Sequence, residues 1–282
     1  MLLVGIHAHM FPPQRESVLS SLNIPIWTVL NMDWGWYKRY IKSTDTVIIR
    51  IYDPDVMGHS PEQWADRCHR EMMQIIQDRG GDPWLNVMIG GNELKLGVEH
   101  DNHGWEVWDD LPHADLILDW WKRFLGTVRS FNPPYRVGAP AESPGHNDVD
   151  GYNDVRRYAA AGIYDLIDVY IGHFYAEGPA QQGFDDPQRI YYADRVITLR
   201  EQLNETHPNL PIIIAECNRK DVKLGDVLGE FDRYCDRIKD IVEGITWFVW
   251  SSGDPGFGTF QLTEIYDQMP RFQSIIDKYA GA

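Results

Sequence analysis

Residues 211–218 read PIIIAECN, an apolar run that stops at a carboxylate, Glu216. Residues 84–93 read WLNVMIGGNE and stop the same way, at Glu93. A short apolar run rich in β-branched side chains and bounded by turn residues is the pattern of a strand buried on both faces. Working outward from these two, the same pattern recurs along the chain. Strands are expected at Leu2–His9, Ile24–Asn31, Asp45–Tyr52, Trp84–Gly90, Tyr135–Ala139, Leu166–Phe174, Pro211–Glu216 and Gly244–Trp250. Amphipathic stretches predict helices at Pro61–Arg79, Asp115–Ser130, Asn153–Ala161, Pro187–Thr206, Asp226–Asp240 and Leu262–Tyr279. Ser60 is placed to cap the first of these, and Gly80-Gly81 to stop it. Strands that alternate with helices imply a parallel sheet. Eight such units imply closure into a single (β/α)8 barrel spanning residues 1–282, and the length is close to the roughly 250 residues such a domain needs. An open doubly wound sheet normally carries a GxGxxG turn after its first strand, which is absent here.

The bulk composition narrows the function classes. The net charge of −16 opposes binding to a phosphate backbone, so no nucleic-acid partner is expected. No apolar run approaches the ~18 residues that read as a membrane span. The chain opens directly on an apolar strand without a basic leader, as expected of a cytoplasmic protein or of a secreted one whose signal peptide has been removed. Cys68, Cys217 and Cys235 form neither a CxxC pair nor a zinc-like spacing with histidine, and read as reduced structural thiols. No feature sets an oligomeric state.

In a (β/α)8 barrel the chemistry sits where the strands end. The polar strand-end residues are His7 and His9, Asn31 to Trp34, Arg50, Asn92 and Glu93, Glu142, His146, His173 and Tyr175, Glu216 and Asn218, and Trp250 with Asp254. Glu93 and Glu216 stand out because each follows directly on core sequence. By the period of two, Ile212, Ile214 and Glu216 share one face, expected to point into the barrel, and Glu93 shares parity with Val87, Ile89 and Gly91. Only barrel closure can bring together two residues so far apart in sequence. Two carboxylates about 5–5.5 Å apart suit a glycosidase that retains anomeric configuration. One attacks the anomeric carbon. The other protonates the leaving oxygen and then activates water.

With these residues in place, the chain resembles the clan A glycoside hydrolases, the 4/7 superfamily of retaining barrels. The resemblance covers the strand order of nearly the whole chain. It implies Glu93 as general acid/base, Glu216 as nucleophile and a β-linked oligo- or polysaccharide as substrate, with no cofactor. It also implies that Asn92 holds the sugar 2-hydroxyl, and that the His173-Phe174-Tyr175 cluster supports the nucleophile, Tyr175 being the better placed. Trp250 would floor the sugar subsite, with Trp247 as an inward-facing competitor. Two features depart from the pattern. Leu94 stands where many members have proline, and the arginine that many carry after strand two has its only counterpart here in Arg50, after strand three.

Other strand ends carry weaker signals. In residues 33–37, DWGWY, the aromatics including Trp34 either form a sugar platform or pack a loop onto a helix. The long loop 97–113 holds Trp105 and Trp108 among acidic residues and is expected to form a subsite wall or a lid. His7 and His9, one residue apart on one strand face, are expected to bind sugar hydroxyls or the glutamates. They also open an alternative, a metal-dependent hydrolase of the amidohydrolase type, with His146, His173 and Asp254 as further ligands. That alternative leaves Asn92 and Glu216 without a role. A third reading, a barrel that binds glycan without cleaving it, gives no reason to keep both glutamates.

Overall fold

The structure is a computed structural model that describes residues 1–9, 15–92, 94, 111–142, 153–176, 195–219, 222–223, 225–250 and 261–281. The strands are β1 (Leu3–Ala8), β2 (Ile26–Leu30), β3 (Thr46–Arg50), β4 (Asn86–Ile89), β5 (Arg136–Glu142), β6 (Val169–Ala176), β7 (Ile212–Arg219) and β8 (Gly244–Phe248). Each pairs in parallel with the next, and β1 pairs with β8 from Leu3↔Gly244 to His7↔Phe248, closing the ring. The described helices are α1 (Glu16–Leu19), α2 (Trp34–Tyr37), α3 (Pro61–Arg79), α4 (Leu111–Ser130), α5 (Asn153–Ala160), α6 (Arg195–Asn204), α7 (Val227–Ile238) and α8 (Met269–Ala280). The fold is the single (β/α)8 barrel that the alternation implies. No described helix is long and apolar enough to cross a membrane.

The sequence signals at α3 act as expected. The Ser60 hydroxyl accepts from Gln63 N at 3.3 Å, Pro61 opens the helix, and Gly80 leaves it at φ +71°. Trp64, Cys68, Met72 and Ile76 recur at helical spacing along its buried face. Two elements lacked a sequence signal: α1 and α2 are single turns. Beside so short a helix, aromatic side chains take over the covering. Trp27, Trp34 and Tyr37 are all buried, and the Trp27 indole N–H donates to Ile24 O at 3.1 Å and to Asp45 Oδ2 at 3.2 Å.

The core divides into two shells. One cluster contains strand residues only: Ile26, Ile48, Val87, Ile89, Ala141, Val169, Ile171, Ile213 and Ala215, with Leu3 packed against it. This is the filling of the barrel. The larger cluster combines the alternate strand residues, among them Val4, Ile6, Ile212 and Ile214, with the buried faces of the helices. Burying both faces of every strand explains why the strands read as continuous apolar runs.

Gly5 lies on the inner face of β1 between Leu3 and His7. A Cβ built there would stand 1.7 Å from the carbonyl oxygen of Ile26 in β2, an approach no side chain tolerates. Gly5→Ala is therefore expected to destabilise the fold by about 3 kcal/mol, the upper end of ordinary overpacking costs, and so to lower the urea midpoint markedly. An unchanged midpoint would show that β1 and β2 are less tightly apposed than described.

Candidate active site

Glu216 sits on β7 with only 5% of its surface exposed, and three strands send four polar side chains to its carboxylate. Arg50, the last residue of β3, places Nη1 3.3 Å from Oε1. His7, on β1, places Nδ1 3.6 Å from the same oxygen. From β6, the Tyr175 hydroxyl donates to Oε2, and His173 Nδ1 lies 3.7 Å from it. Arg50, His7, His173 and Tyr175 all follow the inward parity of their strands, since Ile48, Leu3, Val169 and Ile171 face the barrel filling. The Arg50 side chain thus reaches Glu216 from the third strand.

Glu216 itself does not follow simple parity. The expectation that Ile212, Ile214 and Glu216 share the inward face is overturned. Ile212 and Ile214 pack outward with the helices, while Ile213 and Ala215 face the barrel. The reason is a β-bulge at Ala215. On the β6 side, Gly172 pairs with Ile214 and His173 with Glu216, which skips Ala215. On the β8 side, Ile245 pairs with Ile214 and Trp247 with Cys217, so Thr246 alone faces both Ala215 and Glu216. The extra residue turns two successive side chains, Ala215 and Glu216, to the inside, and Cys217 resumes the outer shell. Bulges of this kind re-aim side chains next to functional sites. The strand does not stop at Glu216, as the sequence suggested, but continues to Arg219.

Phe248 is the residue that sequence reading missed. It ends β8 on the inward face, and its ring meets three others: His7 edge-on with centroids 5.0 Å apart, Tyr175 edge-on at 5.8 Å and His9 at 6.0 Å. Asn218, buried on β7, donates its side-chain N–H to the Phe248 carbonyl. The usable signal was parity: Gly244, Thr246 and Phe248 alternate on one face of the strand. Trp247, expected to face inward, instead packs edge-on against Phe231 of α7 with centroids 5.0 Å apart. Trp250 is fully buried in the outer core, its backbone N–H bonded to His7 O at 3.0 Å.

The remaining candidates divide between the mouth and its surroundings. His7 is fully buried beneath the mouth, whereas His9 is partly exposed, their rings 5.8 Å apart. Asn92 is buried just beyond β4. Trp34 packs on the outer layer: its indole N–H donates to Asp78 Oδ2 of α3 at 2.8 Å, and it lines an open groove of about 790 Å³ between α2 and α3. Glu142 turns to the helical layer, accepting from the Tyr158 hydroxyl of α5 at 2.6 Å. Burial and this carboxylate together push the Tyr158 phenol well up from its ordinary range. Glu93, His146, Asp254 and the tryptophans of the 97–113 loop lie outside the described residues. Among the described residues, no three His, Cys, Asp or Glu side chains are arranged to hold a metal ion.

No protein-family model matches this chain, and no curated protein sequence does. Solved structures do resemble it. An endo-β-1,4-glucanase from Xanthomonas axonopodis pv. citri (a triple mutant) aligns at a TM-score of 0.61 and 11% identity, covering 99% of this chain and 100% of that one. A hyperthermostable endo-1,4-β-D-mannanase from Thermotoga petrophila aligns at 0.59 and 11% identity, over 98% and 100%. A monomeric β-xylosidase from Caulobacter crescentus aligns at 0.61 and 14% identity over 93% of this chain but 64% of its own. At such identities the likeness establishes the shared barrel.

Burial lowers the His7 pKa well below the usual histidine value, and the neighbouring His9, Arg50 and His173 lower it further. Below pH ~6.5 the unfolded chain then binds a proton at this position that the folded chain refuses, so His7 removes stability as the pH falls. Comparing urea unfolding at pH 7 and pH 5, His7→Asn should lose less stability on acidification than the wild type. Equal losses in the two proteins would mean that His7 protonates freely in the folded state.

Proposed function

We propose that this protein is a retaining β-glycoside hydrolase acting on a β-linked oligo- or polysaccharide, with Glu216 as nucleophile and Glu93 as general acid/base. The observation that carries the reading is the setting of Glu216. It is a nearly buried carboxylate aimed at the barrel mouth by a strand irregularity, with a guanidinium on one oxygen and a phenol on the other. Donors on both oxygens fix the orientation of the carboxylate, which in-line attack on an anomeric carbon requires. In such a reaction an oxygen of Glu216 bonds to C1 as the glycosidic C–O bond breaks, and Glu93 gives its proton to the departing oxygen. Glu93 then takes a proton from water, whose oxygen attacks C1 and releases Glu216.

Further support comes from the kinds of protein that share the barrel, a β-1,4-glucanase, a β-1,4-mannanase and a β-xylosidase among them. In this reading Asn92 holds the sugar 2-hydroxyl and His9 contacts the ring from the mouth. Arg50, His7, His173 and Tyr175 hold Glu216 and the sugar-facing wall. Phe248 takes the apolar face of the sugar, the task expected of Trp250 from sequence. Trp34, held in the outer layer against Asp78, is not part of this site. The two-carboxylate mechanism calls for no cofactor.

A panel of β-linked polysaccharides and activated aryl β-glycosides, with chelator present, tests the proposal. Glu216→Gln should reduce turnover to background on every substrate the wild type cleaves. Glu93→Gln should lose roughly 10²–10⁴-fold on natural linkages, the range for a general acid–base group, and much less on aryl glycosides whose leaving group needs no proton. Turnover restored only by added zinc would instead favour a metal-dependent hydrolase, and full activity in both variants would overturn the assignment.

A further inference from the structure

The bulge that aims Glu216 leaves a structural debt at Ala215. A bulged residue falls out of the regular ladder, and its polar backbone groups need other partners when buried. Here the partner of the carbonyl is a side chain. Thr246 of β8, which faces the bulge, directs its hydroxyl to Ala215 O at 2.5 Å and lies 3.5 Å from Ile214 O. A hydroxyl has one proton to give. With that proton committed to the carbonyl, Thr246 Oγ1 is the acceptor in its second contact, and Thr28 of β2 is the donor, at 2.9 Å. The two threonines belong to strands that flank β1, and they meet over Gly5, which pairs with Thr246 and presents no side chain between them. Both are buried, 1% and 0% exposed, next to the aliphatic filling of the barrel.

We propose that Thr246, held by Thr28 across Gly5, is a positioning residue for Glu216: its hydroxyl secures the Ala215 carbonyl and thereby the bulge that turns Glu216 to the mouth. The threonines act through the backbone and touch no substrate. Their proton order is directional, Thr28 to Thr246 to Ala215 O, so each hydroxyl has a different weight. Without the Thr246 hydroxyl, the buried Ala215 carbonyl loses this bond, and β7 is free to recover regular pairing, which would swing Glu216 toward the helices. Without the Thr28 hydroxyl, Thr246 keeps its bond to the carbonyl and loses only its own anchor.

The inference rests on the nucleophile role proposed for Glu216 only as far as catalysis is concerned, and the test separates the two. Thr246→Val keeps the side-chain shape and removes the hydroxyl, whereas Thr246→Ser keeps the hydroxyl and removes a methyl. Crystal structures of both variants read the geometry directly. In Thr246→Val the Glu216 carboxylate is expected to leave Arg50, and in Thr246→Ser to stay at the wild-type 3.3 Å. Kinetics on a substrate from the panel above reads the consequence. Thr246→Val should lose about 10²-fold in kcat, as expected of a misplacement near 1 Å, with KM little changed. Thr246→Ser should recover most of that loss, and Thr28→Val should fall between them. A Thr246→Val structure with the bulge and the Arg50 contact intact would overturn the proposal, whatever the turnover. If Thr246→Val does not fold, equal kcat and unmoved Glu216 in Thr28→Val and Thr246→Ser would overturn it equally well. A wild type that turns over no glycoside would sink the hydrolase reading while leaving the crystallographic arm to decide the clamp.

Discussion

Eight parallel strands closed on themselves leave no free edge, and every strand must send alternate side chains into a space of fixed width. That alternation governs everything else in the molecule. Inward positions below the rim take Ile, Val and Ala, with Gly5 and the Thr28–Thr246 pair among them. Inward positions at the rim take His7, Arg50, His173, Tyr175, Glu216 and Phe248, because there alone the inner face opens on the mouth. The polar site is therefore the top layer of the same stacking that fills the barrel, and its members are fixed by the strands beneath them rather than by loop conformation.

Much of this was open to sequence reading. The eight apolar runs, the caps of α3 and the places of Glu216, Arg50, His173 and Tyr175 in the C-terminal parts of their strands could be read from the sequence. What resisted was local and physical. A bulge adds one residue without any residue type that announces it: residues 212–216, IIIAE, read as a uniform alternation, and the face was inverted as a result. The same inverted view would never have found Thr246, a small hydroxyl in a run of large apolar residues. Phe248 was passed over because two tryptophans nearby looked like stronger carbohydrate platforms. Both tryptophans in fact serve the outer core. The single-turn helices α1 and α2 escaped because one turn shows no periodicity.

The electrostatics of the rim follow from burial. His7 sits among His9, Arg50 and His173 with no exposure to water, so a proton there would add charge to a site already holding a guanidinium. A neutral imidazole beside Glu216 leaves Arg50 as the permanent cation at that oxygen. Phe248 packs against His7 and Tyr175, each of which faces a different oxygen of the carboxylate. Packing and polarity thus act on one target from opposite sides.

The closing seam between β1 and β8 has a temporal consequence. It joins Leu3 to Gly244, nearly the whole chain apart, and contacts of such long range are costly to form early. The ribosome releases β8 long after β1, so β1 stays without its final neighbour through most of synthesis. The rim around Glu216 draws on β1, β3, β6 and β8, and the hydroxyl behind it spans from β2 to β8 across that same seam. A nascent chain carrying every one of the first seven strands still lacks Phe248 and Thr246. The carboxylate acquires its full surroundings only once the last strand has been made, so a chain cut short before β8 bears the acid without its complete setting.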